Sequence, residues 1–246
     1  CTHAQGVKAL RLLKECCFKV DIHLMPDLPG SNPEKDKEML GKALYDEDMD
    51  ADYYKIYPCN VTPFTKIEEW YRAGTYKPYG NHADGEELVE LLIWFKSRIQ
   101  EWKRINRIPR DIPNQSIIAG NSQTNLRQIL QRKMSERGLT CKCIRCREVK
   151  NQEISLGDVE LVEREHASSG GCERFLSFET HDRTRLLGFL RLRFNADASV
   201  NFFPELRHSA LIRELHVYGA IVPTYERERE GKPQHGGLGR RLVRRA

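Results

Sequence analysis

The sequence predicts an α/β chain in two parts, and three observations carry that reading. Helical and strand periodicities alternate from residue 5 to residue 57, the rhythm of a parallel α/β sheet or barrel. After about residue 152 the pattern changes to a run of strands separated by turn signals. A tight cysteine group, Cys141, Cys143 and Cys146, stands where the first pattern gives way to the second. The expected organisation is residues 1–140, a cysteine-rich linker at 141–155, and a second domain at 156–246.

Each element has a local cause. Residues 5–17 place Val7, Leu10, Leu13 and Cys17 at helical spacing, opposite Lys8, Arg11 and Lys14. Phe18 to Met25 alternates as a strand and ends in Pro26-Asp27-Leu28-Pro29-Gly30, a turn rich in fixed-φ residues. Ser31 or Asn32 caps the next helix, with Pro33 in its first turn and Glu34 near the positive end of its dipole. Asp52 to Tyr57 forms a second short strand closed by Pro58. Helices are expected over Glu68–Arg72 and Glu86–Trp102, with a turn-rich loop from Gly74 to Gly85 between them. Residues 105–120 contain two prolines and read as a strand or extended segment, not one helix, since proline removes a helix donor. Asn125–Arg137 is a basic helix stopped by Gly138. Strands follow at Val159–Glu165, Glu173–Glu179, Leu186–Phe194 and Ala210–Val222, with antiparallel pairing across turns at Gly170-Gly171 and 180–185.

Composition narrows the class. With 39% hydrophobic and 30% charged residues the chain is globular, not disordered. No stretch reaches the roughly 20 apolar residues that cross a bilayer, so no membrane role is expected. Cys1 to Gly6 lack the charged-then-apolar pattern of a signal peptide. Cysteines clustered this tightly suit a metal better than a disulfide framework, which points to a reducing, cytoplasmic setting. The chain starts without Met and stops at Arg244-Arg245-Ala246 inside a helical pattern, so it reads as a fragment of a longer enzyme. Residues 96–150 hold 14 Lys or Arg against four acidic residues, a local net charge of +10. Such density is the footprint of a protein that grips a phosphate backbone, weighed here against a merely solvated helical face.

Two motifs carry chemistry. Gln234-His235-Gly236-Gly237-Leu238-Gly239 fits the Q/R-x-x-G-x-G pattern that opens a helix in GCN5-type acetyltransferases. Glycines let backbone N–H groups approach a pyrophosphate, and the helix start at Arg240 adds its dipole. In the strand before it, Glu214, His216 and Tyr218 alternate with Leu215 and Val217, so one set faces a core and the other a cleft. Glu214 or His216 is a candidate general base; the plainer alternative is a strand-surface residue bonded to its neighbours. Cys141-x-Cys143-x-x-Cys146 offers three thiolates to one tetrahedral ion, zinc by preference, with an iron–sulfur cluster as the rival. Lys142, Arg145 and Arg147 are expected to favour the thiolates. Cys172, His166, His208 and His216 are the candidates for a fourth ligand.

The chain resembles the catalytic-subunit family of Elongator and its single-chain archaeal and bacterial relatives. The matching stretches are His23 to Gly30, Lys55 to Pro58, Arg107 to Pro113, Asn125 to Arg127, Arg147 to Val149, Phe175 to Glu179, Leu190 to Arg193, Arg213 to Gly219 and Gln234-His235. The resemblance implies the C-terminal part of a radical-SAM (partial TIM-type) barrel followed by a partial GCN5-type acetyltransferase α+β domain. It implies carboxymethylation of the tRNA wobble uridine, using S-adenosylmethionine, acetyl-CoA and a 4Fe-4S cluster whose ligands lie outside this chain. Acetyl-CoA contacts are then expected at Glu214, Leu215, His216, Val217, Gln234, Gly237, Leu238, Gly239 and Arg240. Lys55 and the Pro26–Gly30 turn are placed at the mouth of barrel strands, where barrel chemistry happens. Arg107, Arg110, Arg127, Arg132 and Lys133 are expected along the tRNA path. Partners are tRNA and, where the source is eukaryotic, further Elongator subunits. The competing readings are a protein lysine acetyltransferase and a non-catalytic, zinc-stabilised RNA-binding module.

Overall fold

The computed structural model describes residues 2–108, 113–123, 125–150, 152, 154–219 and 237–246. Contacts divide the chain into two compact units, one of residues 21–46 and 51–143, the other of residues 1–20, 47–50 and 144–246. The first helix, α1 (His3–Glu15), belongs to the second unit.

In the unit of residues 21–46 and 51–143, β1 (Asp21–Leu24), α2 (Pro33–Tyr45), β2 (Tyr53–Ile56), α3 (Lys66–Arg72), α4 (Glu86–Arg98), β3 (Arg104–Arg107) and α5 (Leu126–Glu136) follow in order. The three strands pair in parallel in the order β1-β2-β3, as the alternation of helices and strands demands. Leu24, Tyr54, Ile56 and Ile105 are buried on one sheet face. Leu40, Ala43 and Leu44 of α2 and Leu88, Leu92 and Phe95 of α4 are buried too, and Tyr54 meets Phe95 edge-on at 6.1 Å. The alternate strand positions are Asp21, His23, Tyr53, Lys55, Arg104 and Asn106, which makes the opposite face polar.

Local chemistry sets the ends of these elements. Asn32, rather than Ser31, caps α2 by accepting from the Lys35 N–H at 2.8 Å; Ser31 donates its hydroxyl to Asp36. Helix α4 stops at Arg98, four residues before the Trp102 end read from its periodicity, because Ile99 turns extended. The residues that leave the helix work elsewhere. Gln100 donates to the Leu44 carbonyl at 2.7 Å, and the buried Lys103 ammonium to the carbonyls of Ala43 and Leu44 at 2.9 and 3.0 Å. These donors satisfy the last turn of α2, whose carbonyls have no helical partner. Gly138 takes the left-handed conformation after α5, at φ 64°.

The other unit adds α6 (Ile144–Arg147), β4 (Val159–Ser168), β5 (Gly171–Thr180), β6 (Leu186–Asn195), β7 (Leu211–Val217) and α7 (Leu238–Arg245) to α1. Its four strands form an antiparallel sheet in sequential order. Ser169 and Gly170, both at positive φ, make the two-residue turn between β4 and β5. Leu238 and Leu242 of α7 pack on Leu176, Phe178, Leu190 and Leu192, the apolar core of this unit.

Beside that core lies a buried ion network. Lys14 of α1 reaches Asp50 at 3.0 Å, Glu173 at 3.5 Å and the Ser168 hydroxyl at 2.5 Å. Glu173 also meets Arg213 at 2.7 Å and Arg193 at 3.4 Å. Burial depresses the Arg193 guanidinium below its ordinary range, and the Glu173 charge opposes that shift. No helix among the described residues is long and apolar enough to cross a membrane.

Candidate functional site

Four groups of residues singled out by the sequence can be placed. On the polar face of the parallel sheet, Lys55 of β2 lies 3.4 Å from Asp21 of β1, and Asn106 of β3 donates to the same carboxylate at 2.8 Å. His23 stacks on Tyr57, ring centroids 5.9 Å apart, and Arg107 donates to the Tyr57 hydroxyl at 3.3 Å. Lys55 is thus one member of a polar row drawn from all three strands.

At the C-terminal end of β1 the Pro26–Gly30 turn is fixed by two buried carboxylates. Asp27, at φ 68°, accepts from the Tyr79 and Gly80 N–H groups at 2.9 and 2.8 Å. Asp36 accepts from the Asp27 N–H and from the Tyr79 hydroxyl, at 2.6 and 2.7 Å. Burial, then the bond to Asp36, drives the Tyr79 phenol far above its usual range, so it acts as a permanent donor. A side chain on Gly80 would meet the Asp27 carboxylate at 2.8 Å, which explains glycine there. The distant donors of this clamp carry no short-range sequence signal.

The basic zone is less open than its count of charges. Lys96 and Lys103 are buried. Lys133 pairs with Glu86, and Arg137 with Glu90 at 2.6 Å, so acidic residues of α4 neutralise part of α5. Arg127 donates to the Ile105 carbonyl at 3.0 Å. Arg132 projects furthest, 70% exposed with Glu136 at 3.8 Å. Arg110 lies outside the described residues.

The sulfurs of Cys141, Cys143 and Cys146 lie within 4.8 Å of one another, with Cys143 fully buried. Three soft donors converging so closely fit a thiophilic ion such as zinc. Among the described residues no fourth His, Cys, Asp or Glu joins them. Of the proposed fourth ligands, His166 sits 3.4 Å from Asp50, Cys172 faces Ala167 across the β4–β5 ladder, and His216 packs on Tyr218. The flanking cations are shared: Arg147 is buried against Glu179 at 2.9 Å, and Lys142 lies 3.6 Å from Glu101.

The fourth group joins β7 to α7. Gly237 holds φ 65° immediately before α7, and the place for a Cβ on it is open. Leu238 is buried beside Val217, and a side chain on Gly239 would meet Val217 at 3.5 Å. Val217, Leu238 and Gly239 therefore come together at the first turn of α7, whose N–H groups have no intrahelical partner, an arrangement suited to an anionic ligand. Arg240 continues this helix, while Gln234 lies outside the described residues. On β7 itself, His216 is exposed and packs on Tyr218 at 4.3 Å. Leu215 is exposed as well, while Val217 packs on the core beside Leu238, so the two apolar members of the alternation are not buried alike. Glu214 is not an isolated base: Arg191 reaches one of its oxygens at 3.1 Å and Lys19 the other at 3.3 Å. Neither cation is singled out by a sequence motif.

Comparison with known proteins agrees with this architecture. The model of the Radical_SAM C-terminal domain matches residues 51–136. Over 98% of its length the chain is 39% identical to a tRNA uridine(34) acetyltransferase of Methanocaldococcus jannaschii, covering 44% of that protein. Over 95% of its length it is 36% identical to Elongator complex protein 3 of Saccharomyces cerevisiae, covering 42% of it. A solved structure, the archaeal Methanocaldococcus infernus Elp3 with an N-terminal deletion, matches all of this chain and 57% of its own, at 36% identity and a TM-score of 0.87. The chain thus spans less than half the length of these curated relatives. A radical-SAM C-terminal region continued into an antiparallel sheet with a glycine-led helix is the class these features define. Over the span it covers, the chain is similar to the catalytic subunits of Elongator and to their archaeal relatives.

Proposed function

We propose that this chain serves modification of the tRNA wobble uridine, with acetyl-CoA as source of the acyl group and a carboxymethyl substituent at position 5 as outcome. The observation that supports this most is the unbroken similarity through both units to proteins named tRNA uridine(34) acetyltransferase. On this reading S-adenosylmethionine and a 4Fe-4S cluster, bound through ligands outside this chain, supply radical chemistry. The residues present have separate tasks. Val217, Leu238, Gly239 and Arg240 receive the pyrophosphate end of acetyl-CoA through backbone N–H groups and the helix dipole. Glu214, Leu215 and His216 line the strand beside the thioester, and His216, exposed on that strand, is the side chain placed to carry a proton. Lys55, steadied by Asp21, orients substrate at the parallel sheet. Arg107 and Arg132, with Arg110, hold tRNA phosphates, and Arg127 and Lys133 contribute less because the Ile105 carbonyl and Glu86 already engage them, while zinc on the three cysteines braces the linker. The expected setting is the cytoplasm, with further Elongator subunits as partners in a eukaryotic source.

The test is acetyl-CoA hydrolysis by the intact protein, assayed with and without tRNA. Turnover that rises on adding tRNA, and not on adding a lysine-rich peptide, is expected. Turnover indifferent to tRNA overturns the reading.

A further inference from the structure

The candidate acetyl-CoA strand carries a charged assembly that the proposed chemistry leaves unused. Arg191 of β6 is fully buried, its guanidinium 5.3 and 5.4 Å from the ring centroids of Phe175 and Phe189. Those rings stack on each other at 5.2 Å, so the guanidinium is held on a rigid aromatic support. Its Nε lies 3.1 Å from Glu214 Oε2, and the Lys19 ammonium takes Glu214 Oε1 at 3.3 Å.

The backbone adds a second, independent feature. The β6–β7 register pairs Arg191 with Glu214, then shifts, so that Leu192 meets Ile212 and Arg213 sits at the extra position of a bulge. Such an extra residue re-aims the side chains around it. Arg213 turns its guanidinium to Glu173, at 2.7 Å, and to the Phe18 carbonyl, at 2.6 Å. Both residues at the shift are thus tied down, Arg213 to Glu173 of β5 and to the Phe18 carbonyl beyond α1, Glu214 to Arg191 of β6 and to Lys19.

We infer that Glu214 is a positioning residue, and that Arg191 with Lys19 holds it to set where His216 and Val217 lie. This inference rests on the proposed acetyl-CoA site. A general base needs an oxygen open to the proton it removes. Each oxygen of Glu214 already faces a cation, so taking a proton there would weaken two charge-assisted contacts. Two residues further along, His216 lies against Phe189 and Tyr218, at 6.3 and 4.3 Å between ring centroids. Phe189 is also one of the two rings that carry Arg191, so the guanidinium and the imidazole share one support.

The experiment measures acetyl-CoA hydrolysis by the intact protein with tRNA, for wild type, Arg191→Met, Arg191→Lys, Lys19→Met, Glu214→Gln and the double variant Arg191→Met with Glu214→Gln. Arg191→Met and Glu214→Gln are each expected to raise KM for acetyl-CoA about tenfold, and the double variant little further, because both break one interaction. Arg191→Lys is expected to recover part of the loss. The pH profile of kcat should keep the wild-type shape in every variant. A fall in kcat of about a hundredfold in Glu214→Gln, with KM kept and one limb of the profile lost, makes Glu214 the base and overturns the inference. So does a wild-type KM in Arg191→Met. Should Arg191→Met fail to fold, Arg191→Lys and Lys19→Met decide by the same KM comparison. Titration with desulfo-CoA separates this inference from the tRNA reading. Weaker binding in the Arg191 variants supports it even where wild-type hydrolysis ignores tRNA, and undiminished binding refutes it.

Discussion

Replacing Glu173 by Gln is expected to loosen the antiparallel sheet out of proportion to the atoms changed. Glu173 is 1% exposed and faces three cations, Lys14, Arg193 and Arg213, with Asp50 as the other carboxylate of the network. The wild-type balance is three positive charges to two negative, and the variant leaves three to one. Removing one partner of a buried pair costs about 3–5 kcal/mol, because the remaining charge has already lost its water. Against a total stability of about 5–15 kcal/mol that is a large fraction. Tryptophan fluorescence would miss it, since Trp70, Trp94 and Trp102 all lie in the unit of the parallel sheet. Native-state hydrogen exchange at the amides of β5 and β6 reads the correct unit. The internal control is Glu165→Gln on the neighbouring strand. Its pair with Arg174, at 2.7 Å, is about half exposed on both sides, and its exchange should match wild type. If the Glu173 and Glu165 variants exchange alike, the network does not carry the sheet and the reasoning fails.

Three further outcomes are expected. Burial alone would push the Glu179 carboxyl up, but Arg164, Arg147 and Ser177 outweigh it and hold it below the ordinary value of about 4.3. In that window the unfolded chain binds more protons, so Glu179 stabilises the fold above about pH 4.3 and the benefit is lost as pH falls through the lower folded value. Arg164→Met should flatten this acid limb in a pH series of denaturation midpoints, and an unaltered limb would exclude Glu179 as its source. Cys143→Ser removes the buried member of the sulfur triad and should strip zinc from the purified protein, as read by elemental analysis; a full complement of zinc would discard the site. Arg132→Ala should reduce the slope of log affinity for tRNA against log salt by about one unit, and Lys133→Ala by less, because Glu86 already neutralises Lys133. Equal slopes in the two variants would show that pairing with Glu86 does not matter.

Periodicity placed nearly every helix and strand, because which face a side chain occupies is a local property of the chain. It could not place the pairs. Leu190-Arg191-Leu192-Arg193 alternates apolar and charged side chains along a strand, yet Arg191 and Arg193 are both buried. Their acceptors stand on other strands: Glu173 is 20 residues from Arg193, and Glu214 is 23 residues from Arg191. Lys14 shows the same at longer range, on a helix whose charged stripe reads as solvated but bonded to Ser168, 154 residues away. The glycine-led start of α7 was legible because its chemistry uses backbone groups of consecutive residues. The bracing of Glu214 was not, because Lys19, β6 and β7 meet only in the fold. A charge count such as the +10 of residues 96–150 fails for the same physical reason. It adds Lys103, spent on the carbonyls of α2, and Lys133, spent on α4, to Arg132, which stands in water. Charge bears on a partner molecule only after the charges already taken by the fold are removed, and in this chain the fold takes many of the arginines and lysines that look most available in the sequence.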